Sequence, residues 1–459
     1  MIQKLRCGAI IDSMKCKEEP QQSYAFYIPL QYSPEKRWPI VYIFDPGARG
    51  HIPIELMQEA AEHYGFIIVS SNNSRNGPWE PQLKAARAIW KDTHTRMSIE
   101  DNCIFFAGCS GGARVAALLA QRCQCVQGVI LDAAGFGTDF PPTSKERFAV
   151  FSIVGLTDFN YNEMVNLDKT LESIGRLHFL RRFDGPHQWG PKDIWLEAFA
   201  WMQLVAIKNG RLPRDEQFIA VEFAKTMQRA QTLEDSGSTY FAWQNYSEAS
   251  SLFQGLTDTK QIDEHGAMLK KSAAVNDGQE CEERELDEQN RLQNKIFNLI
   301  ESLRKPRPKW FTNEQLNDYE GKLQIQVRDA IHQLRKNLED EDQPERHRVF
   351  ERVRGNIFAN LIELGQSALE ANDLRIAKNF FAFSAELQPH AVWSHICLAR
   401  CLIRMGDKDE SIRELGQARD VGLSAHALAT MLKQMFELSS LTDDPEFQKL
   451  IRSDVPSEH

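Results

Sequence analysis

The sequence predicts an α/β fold, a mostly parallel sheet with helices on both faces, followed by an all-α helical repeat region. Three observations carry this. Short apolar runs alternate with helix-period segments over the first 210 residues, strand-like runs vanish after Asn209-Gly210, and two stretches of the second part match each other 34 residues apart. At 459 residues the chain is too long for one ordinary domain and suits two or three.

In chain order, strands are predicted at Tyr24 to Leu30, Ile40 to Phe44, Phe66 to Ser70, Ile104 to Ala107, Gly128 to Leu131, Phe148 to Val154 and Leu177 to Phe183. The central runs are apolar throughout, as parallel strands buried on both faces must be. Helical spacing marks Ile54 to His63, Leu83 to Arg96, Gly112 to Arg122, Tyr161 to Gly175 and Asp193 to Lys208 between them. The expected organisation is a domain over 1–210, a helical connector with one degenerate repeat hairpin over 211–355, and helical repeats over 356–459.

The repeat rests on residue sizes in register. Leu364, Gly365, Ala377, Phe381, Ser384 and Pro389 align with Leu398, Ala399, Ser411, Leu415, Ala418 and Leu423. Small residues stand where paired helices approach, and large apolar ones where they fill the space between. The pattern resembles tetratricopeptide repeats, with turns at Asn372-Asp373 and Gly406-Asp407 and Pro389 in the closing position. An earlier degenerate hairpin is expected from Phe223 to Gln254, turning at Gly237 and followed by Ala242, Tyr246 and Ala249. From Gln261 to Arg354, Leu292, Ile296, Leu299 and Leu303 mark long helices, read as a solvated connector broken by Pro-Arg-Pro at 306–308; the acidic run 339–342 reads as a helix end or loop.

Composition narrows the function classes. Residues 1–210 hold 22 Lys+Arg against 22 Asp+Glu, and the remainder holds 32 against 42, so the net charge of −10 lies entirely in the second part. Neither part has the basic excess that nucleic-acid binding by counterion release requires. No apolar run approaches the roughly 20 residues of a membrane span. Met1 to Gly8 carries no apolar leader, which predicts a cytoplasmic location for the chain as given, or a periplasmic or secreted one had a signal peptide been removed. The nine cysteines include no CxxC pair, Cys123 and Cys125 fit no standard zinc or redox spacing, and most are expected to be buried thiols. Cys7 and Cys16 flank an expected hairpin and would pair only in an exported form.

The sharpest local feature is Phe105-Phe106-Ala107-Gly108-Cys109-Ser110-Gly111-Gly112-Ala113-Arg114, an apolar strand, then Gly-x-Ser-x-Gly, then a small-residue helix start. That is the context of a nucleophile elbow, in which Gly108 and Gly112 relieve clashes in a tight turn that holds the Ser110 hydroxyl above the sheet. The helix N-terminus favours negative charge, and the Gly111 amide can donate to an oxyanion. A serine hydroxyl needs a base to be nucleophilic. Downstream, Asp158 lies just past the strand ending at Val154, and His187 lies on the loop after the strand ending at Phe183. All three positions are at C-terminal strand ends, where open α/β sheets carry their sites. Asp132 and Asp184 are alternative partners for the histidine. Cys109 is expected to pack against the sheet, because an elbow exposes only its central residue. His51, His63, His94 and His178 show no paired ligand spacing, so no metal is expected.

With these residues in place, the region from about 20 to 208 resembles an α/β-hydrolase, in the branch of polyhydroxyalkanoate depolymerases, feruloyl esterases and related small carbohydrate esterases. Ser110, Asp158 and His187 follow the family order of nucleophile, acid and base, and His187-Gln188-Trp189 is similar to that branch's His-x-Trp. The resemblance implies Ser110 as nucleophile, His187 as general base then acid, and Asp158 as the group orienting it, with no cofactor. The family's His-Gly oxyanion loop is replaced by Phe44-Asp45-Pro46-Gly47-Ala48-Arg49-Gly50, which leaves the Ala48 or Gly47 amide as the expected second oxyanion donor. Asp45 and Arg49 either tie this loop together or face substrate, and Trp79 and Trp189 either stack on substrate or pack in the core.

Only Ala133 to Arg147 separate two strands between which many α/β-hydrolases insert a lid, so an open cleft is expected, suited to an ester of a bulky or polymeric group. The repeats are expected to bind a protein partner or to mediate self-association. Two other readings stay open from sequence: a vestigial hydrolase fold serving as a repeat scaffold, and a serine peptidase.

Overall fold

The computed structural model describes residues 6–305, 312–339 and 344–452. The first part alternates as its hydrophobic pattern requires: β1 (Ile11–Lys15), β2 (Ser23–Tyr27), β3 (Trp38–Phe44), α1 (His51–Tyr64), β4 (Ile67–Ser71), α2 (Trp79–Arg96), β5 (Ile99–Cys109), α3 (Gly111–Arg122), β6 (Val126–Asp132), β7 (Ala149–Gly155), α4 (Tyr161–Ser173), β8 (His178–Phe183) and α5 (Lys192–Lys208). The eight strands form one sheet in the order β1-β2-β4-β3-β5-β6-β7-β8. β1 and β2 pair antiparallel, β2 and β4 likewise, and every pair from β4 to β8 is parallel. The sheet is mostly parallel, and it aligns the C-terminal ends of β3, β5, β6, β7 and β8 along one edge.

The strands extend beyond their apolar cores. β5 starts at Ile99 instead of Ile104, because Glu100, half-buried, and the exposed Asp101 and Asn102 are polar and carry no alternation. β1, the exposed edge strand, escaped the apolar criterion for the same reason. On one face of the sheet, Val41, Ile43, Phe105, Ala107 and Ile130 share a core with Ile54 and Met57 of α1 and Trp195, Phe199 and Met202 of α5.

That core does not stop at Gly210. Helices α6 (Glu216–Asp235), α7 (Thr239–Phe253) and α8 (Lys260–Leu269) add Ile219, Ala230, Tyr246, Phe253, Ile262 and Leu269 to it. Buried polar contacts bind them too. Arg181 on β8 pairs with Glu197 of α5 at 2.8 Å and with Glu248 of α7, while Lys208 donates to the carbonyls of Ser251 and Leu252 at the end of α7, each at 3.0 Å. The change of composition near residue 210 therefore marks the end of the alternation, and the first compact unit runs on to Arg284, inside α9 (Ala273–Arg304).

The second compact unit begins at Glu285 and its described residues are helical: α10 (Asn313–Leu338), α11 (Pro344–Glu370), α12 (Leu374–Leu387), α13 (Val392–Met405), α14 (Lys408–Asp420), α15 (Ala425–Gln434), a short 3-10 turn and α16 (Pro445–Arg452). The stretch expected to be a solvated connector is instead packed. Ile296 and Leu303 bury with Val327, Ile331, Val353 and Ile357, because their three-to-four spacing forms one continuous apolar stripe. Pro-Arg-Pro at 306–308 lies outside the described residues, as does the acidic run after Glu339, itself the C-cap of α10.

Helices α11 and α12 pack together, as do α13 and α14. A Cβ on Gly365 would lie 2.4 Å from the Phe381 ring, Ser411 Oγ donates to the Ala399 carbonyl at 2.9 Å, and the turns use Asn372 and Gly406 at φ +61° and +88°. Among the described residues no helix is long and apolar enough to cross a membrane.

The cysteine expectations need one correction. Cys123 and Cys125 form a disulfide, while Cys7 and Cys16 are free. Gly8 N–H bonds Ile28 O at one end of the first hairpin and Cys16 N–H bonds Gln22 O at the other, so the two thiols sit at opposite ends of one arm. At about 3.3 Å per residue they are far beyond disulfide reach. Outside that disulfide, Cys16, Cys103, Cys109, Cys397 and Cys401 are buried.

Candidate active site

The turn between β5 and α3 is held by close backbone packing. A Cβ on Gly108 would lie 2.2 Å from Gly112 O, and one on Gly112 would lie 2.0 Å from Phe44 O, so both positions exclude a side chain. Between them Ser110 adopts φ +54°, a conformation that is strained for a non-glycine residue by roughly 1–2 kcal/mol. Its N–H is anchored on Asp132 O at 2.8 Å. The Gly111 amide lies in the first turn of α3, where no intrahelical acceptor exists.

The ends of β7 and β8 are stitched together by Leu156 N–H to Phe183 O at 2.8 Å and Thr157 N–H to Gly185 O at 3.0 Å. This brings Asp158, which is fully buried, beneath His187. His187 Nδ1 lies 2.8 Å from Asp158 Oδ1 and Nε2 lies 2.9 Å from Ser110 Oγ. The same Asp158 oxygen also accepts from Asn160 N–H at 2.8 Å. Of the alternatives, Asp184 is exposed and Asp132 bonds Gly190 N–H at 2.7 Å, so neither takes the histidine. Cys109 is buried, and burial above all pushes its thiol well above the ordinary range.

The β3 loop differs from what the family pattern implies. Asp45, fully buried, accepts from Gly47 N–H at 2.8 Å, Arg49 Nε at 2.9 Å, Arg49 Nη2 at 3.0 Å and Trp189 Nε1 at 3.0 Å. Burial raises this carboxyl, but the bonds from Arg49, Trp189 and the loop amides outweigh it and hold it below the usual carboxylate range. Ala48, at φ +58°, donates its amide to Asp45 O at 3.1 Å. Both amides expected as second oxyanion donors are thus already bonded to Asp45, Gly47 to its carboxylate and Ala48 to its backbone carbonyl, whereas the Gly111 amide has no intrahelical acceptor. Arg49 ties the loop, and Trp189 anchors the histidine loop to it while packing on Trp195 at 5.7 Å. Trp79 begins α2, partly exposed, edge-on to Phe140 at 5.2 Å.

Three further residues surround these, of which Phe159 and Asn76 carry no sequence signal and Asp132 is expected only as an alternative partner of the histidine. Phe159 stacks on His187 with ring centroids 4.0 Å apart, Asn76 lies against Gly111 so closely that a Cβ there would meet its Oδ1 at 1.9 Å, and Asp132 holds two backbone amides. Each is defined by contacts across the sheet edge instead of by spacing along the chain. A separate apolar cavity of about 230 Å³, lined by Tyr42, Val69, Ile89, Trp90, Phe106 and Leu119 among others, includes none of Ser110, Asp158 and His187.

No protein family and no curated protein matches the chain by sequence. Among solved structures, it is similar to the S-formylglutathione hydrolase FrmB of Staphylococcus aureus at 13% identity and TM-score 0.36, over 43% of this chain and 98% of that one. It is also similar to a hyperthermophilic esterase from the archaeon Pyrobaculum calidifontis at 14% identity and TM-score 0.37, over 44% of this chain and 87% of that one. A feruloyl esterase module from Clostridium thermocellum matches at 14% identity and TM-score 0.32, over 42% of this chain and 86% of that one.

Proposed function

We propose that the chain is a serine hydrolase of carboxylic esters, with Ser110 as nucleophile, His187 as general base then acid, and Asp158 as the group that orients it. The observation that carries this is the relay Ser110 Oγ, His187 Nε2, His187 Nδ1, Asp158 Oδ1, with both links at hydrogen-bond distance and Ser110 held at positive φ. With its proton on Nδ1 donated to Asp158, His187 presents a free Nε2 to the serine hydroxyl. As Ser110 Oγ attacks an ester carbonyl its hydroxyl proton passes to His187 Nε2, and the oxyanion forms at the Gly111 amide, at the positive end of α3. His187 then protonates the departing alkoxide, and a water activated in the same way releases the acid from Ser110.

The link from β6 to β7 contains no helix, which supports an open cleft and an ester of a bulky or polymeric group. Trp79, partly exposed at the start of α2, and Arg49, whose side chain is about half exposed, are the substrate-contact candidates. The helical hairpins from α11 to α14 act as a repeat surface for a protein partner or a second copy. The test is hydrolysis of short p-nitrophenyl esters together with fluorophosphonate labelling. Wild type should turn over and label while Ser110→Ala does neither; turnover that survives the substitution would refute the assignment, and a silent wild type would favour a scaffold.

A further inference from the structure

Asp132 is the last residue of β6 and lies in register with Cys109 on one side and Ile153 on the other. It is fully buried, and it touches both halves of the proposed site. Its backbone carbonyl accepts from Ser110 N–H at 2.8 Å, and its side-chain Oδ2 accepts from Gly190 N–H at 2.7 Å, three residues beyond His187. Gly190 sits hard against the sheet edge, since a Cβ there would lie 2.8 Å from Ile153 Cγ2. The loop can therefore reach Asp132 only because residue 190 has no side chain.

We propose that Asp132 is a positioning residue that fixes the Ser110 turn and the His187 loop to each other through these two hydrogen bonds. The inference rests on the hydrolase reading and adds to it a residue outside the Ser-His-Asp set. The His187 loop then has two anchors, Trp189 on Asp45 from β3 and Gly190 on Asp132 from β6. They differ in charge. Asp45 has Arg49 as a counter-ion, whereas the titratable groups facing Asp132 are Asp158 and the Cys109 thiol, and its Oδ1 has no hydrogen-bond partner. Burial, opposed by the Gly190 bond and reinforced by Asp158, pushes the Asp132 carboxyl well above the usual range. A neutral acid with its proton on Oδ1 leaves Oδ2 as acceptor and puts no second negative charge beside Asp158. An uncharged carbonyl oxygen should do the same work.

Three variants test this: Asp132→Asn, which keeps an acceptor; Asp132→Ala, which removes it; and Asp132→Ser, which is too short to reach Gly190 and replaces the alanine variant if that fails to fold. Expected are kcat within about 3-fold of wild type for Asn, and a fall of roughly 10–100-fold for Ala or Ser with KM little changed, as for a reacting group displaced by a fraction of an ångström to 1 Å. A readout independent of substrate is the far-downfield proton resonance of His187 Nδ1–H, which should persist in Asn and broaden or vanish in Ala. Unchanged kcat and resonance in Ala or Ser would overturn the inference. So would an Asn variant as impaired as Asp158→Asn, because charge would then be the requirement. If wild type hydrolyses no ester, the hydrolase reading falls, and the resonance still decides whether Asp132 positions the histidine.

Discussion

Gly112 is the position where one methyl group should separate the chemistry from the fold. A Cβ there would lie 2.0 Å from Phe44 O and 2.6 Å from Phe44 C, both backbone atoms of a central strand. To reach even 3.0 Å, the start of α3 must withdraw from β3 by about 1 Å, and it carries Ser110 and the Gly111 amide with it. Overpacking of this kind is destabilising by ~1–3 kcal/mol. A displacement of about 1 Å at a nucleophile and its oxyanion donor is worth on the order of 100-fold in rate. Gly112→Ala should therefore lose ~100-fold in kcat/KM on p-nitrophenyl esters and in its rate of fluorophosphonate labelling, while circular dichroism shows a folded protein with a lowered Tm. The neighbouring Gly111→Ala is the control, because its Cβ meets the end of an exposed Asn76 side chain that can swing away. It should lose no more than ~5-fold and recover in the Asn76→Ala background. A Gly112→Ala enzyme within a few-fold of wild type, or equal losses at 111 and 112, would refute the reasoning.

Further predictions rest on equally local contacts. Phe159→Ala removes the ring stacked on His187 and should lower kcat by roughly 2–10-fold, the value of one aromatic stacking interaction, in steady-state assays that find KM near wild type. His178 on β8 is buried; burial lowers its basicity, but the bond and charge of Asp168 and the Arg176 carbonyl outweigh that and raise it to about 9. Its contribution is therefore complete below the unfolded value near 6.5 and lost as pH rises through about 9. Urea unfolding at pH 6 and pH 9.5 should show wild type losing on the order of 3 kcal/mol more than His178→Gln, and equal losses would contradict the pairing. Gly365→Val should destabilise the second unit by ~1–3 kcal/mol through the Phe381 ring, with partial recovery in the Phe381→Leu background, read from thermal melting of the full chain.

Much of this was legible in the chain because it is written in local chemistry. The strand Phe105–Ala107, the glycines at 108, 111 and 112 and the helix after them identify the serine turn, since a tight turn over a buried strand admits few sequences. Asp158 and His187 were recoverable from their places just past strand ends. What failed did so for physical reasons. In the β3 loop the Asp45 carboxylate takes the Gly47 amide and the Asp45 backbone carbonyl takes the Ala48 amide, contacts set by how this turn closes and by which way the carboxylate points, neither of which local spacing encodes. The extent of the first unit was hidden because α6, α7 and α8 resemble the later helices in composition, and their allegiance is set by which core their apolar faces meet.

The sequence by itself determined the order of the elements, the α/β class of the first part, the helical class of the second, and a short set of candidates for the site: Ser110, His187 and the aspartates at strand ends. Those follow from hydrophobic period and from turn chemistry, which act over a few residues. Only the tertiary structure decided which carboxyl lies against His187, which amides beside Ser110 are already bonded, that Asp132 bonds Gly190 instead of the histidine, and that Phe159 lies on the His187 ring. These depend on side chains from strands tens of residues apart in sequence, brought to one sheet edge by parallel pairing, and no local pattern encodes a distance across a sheet.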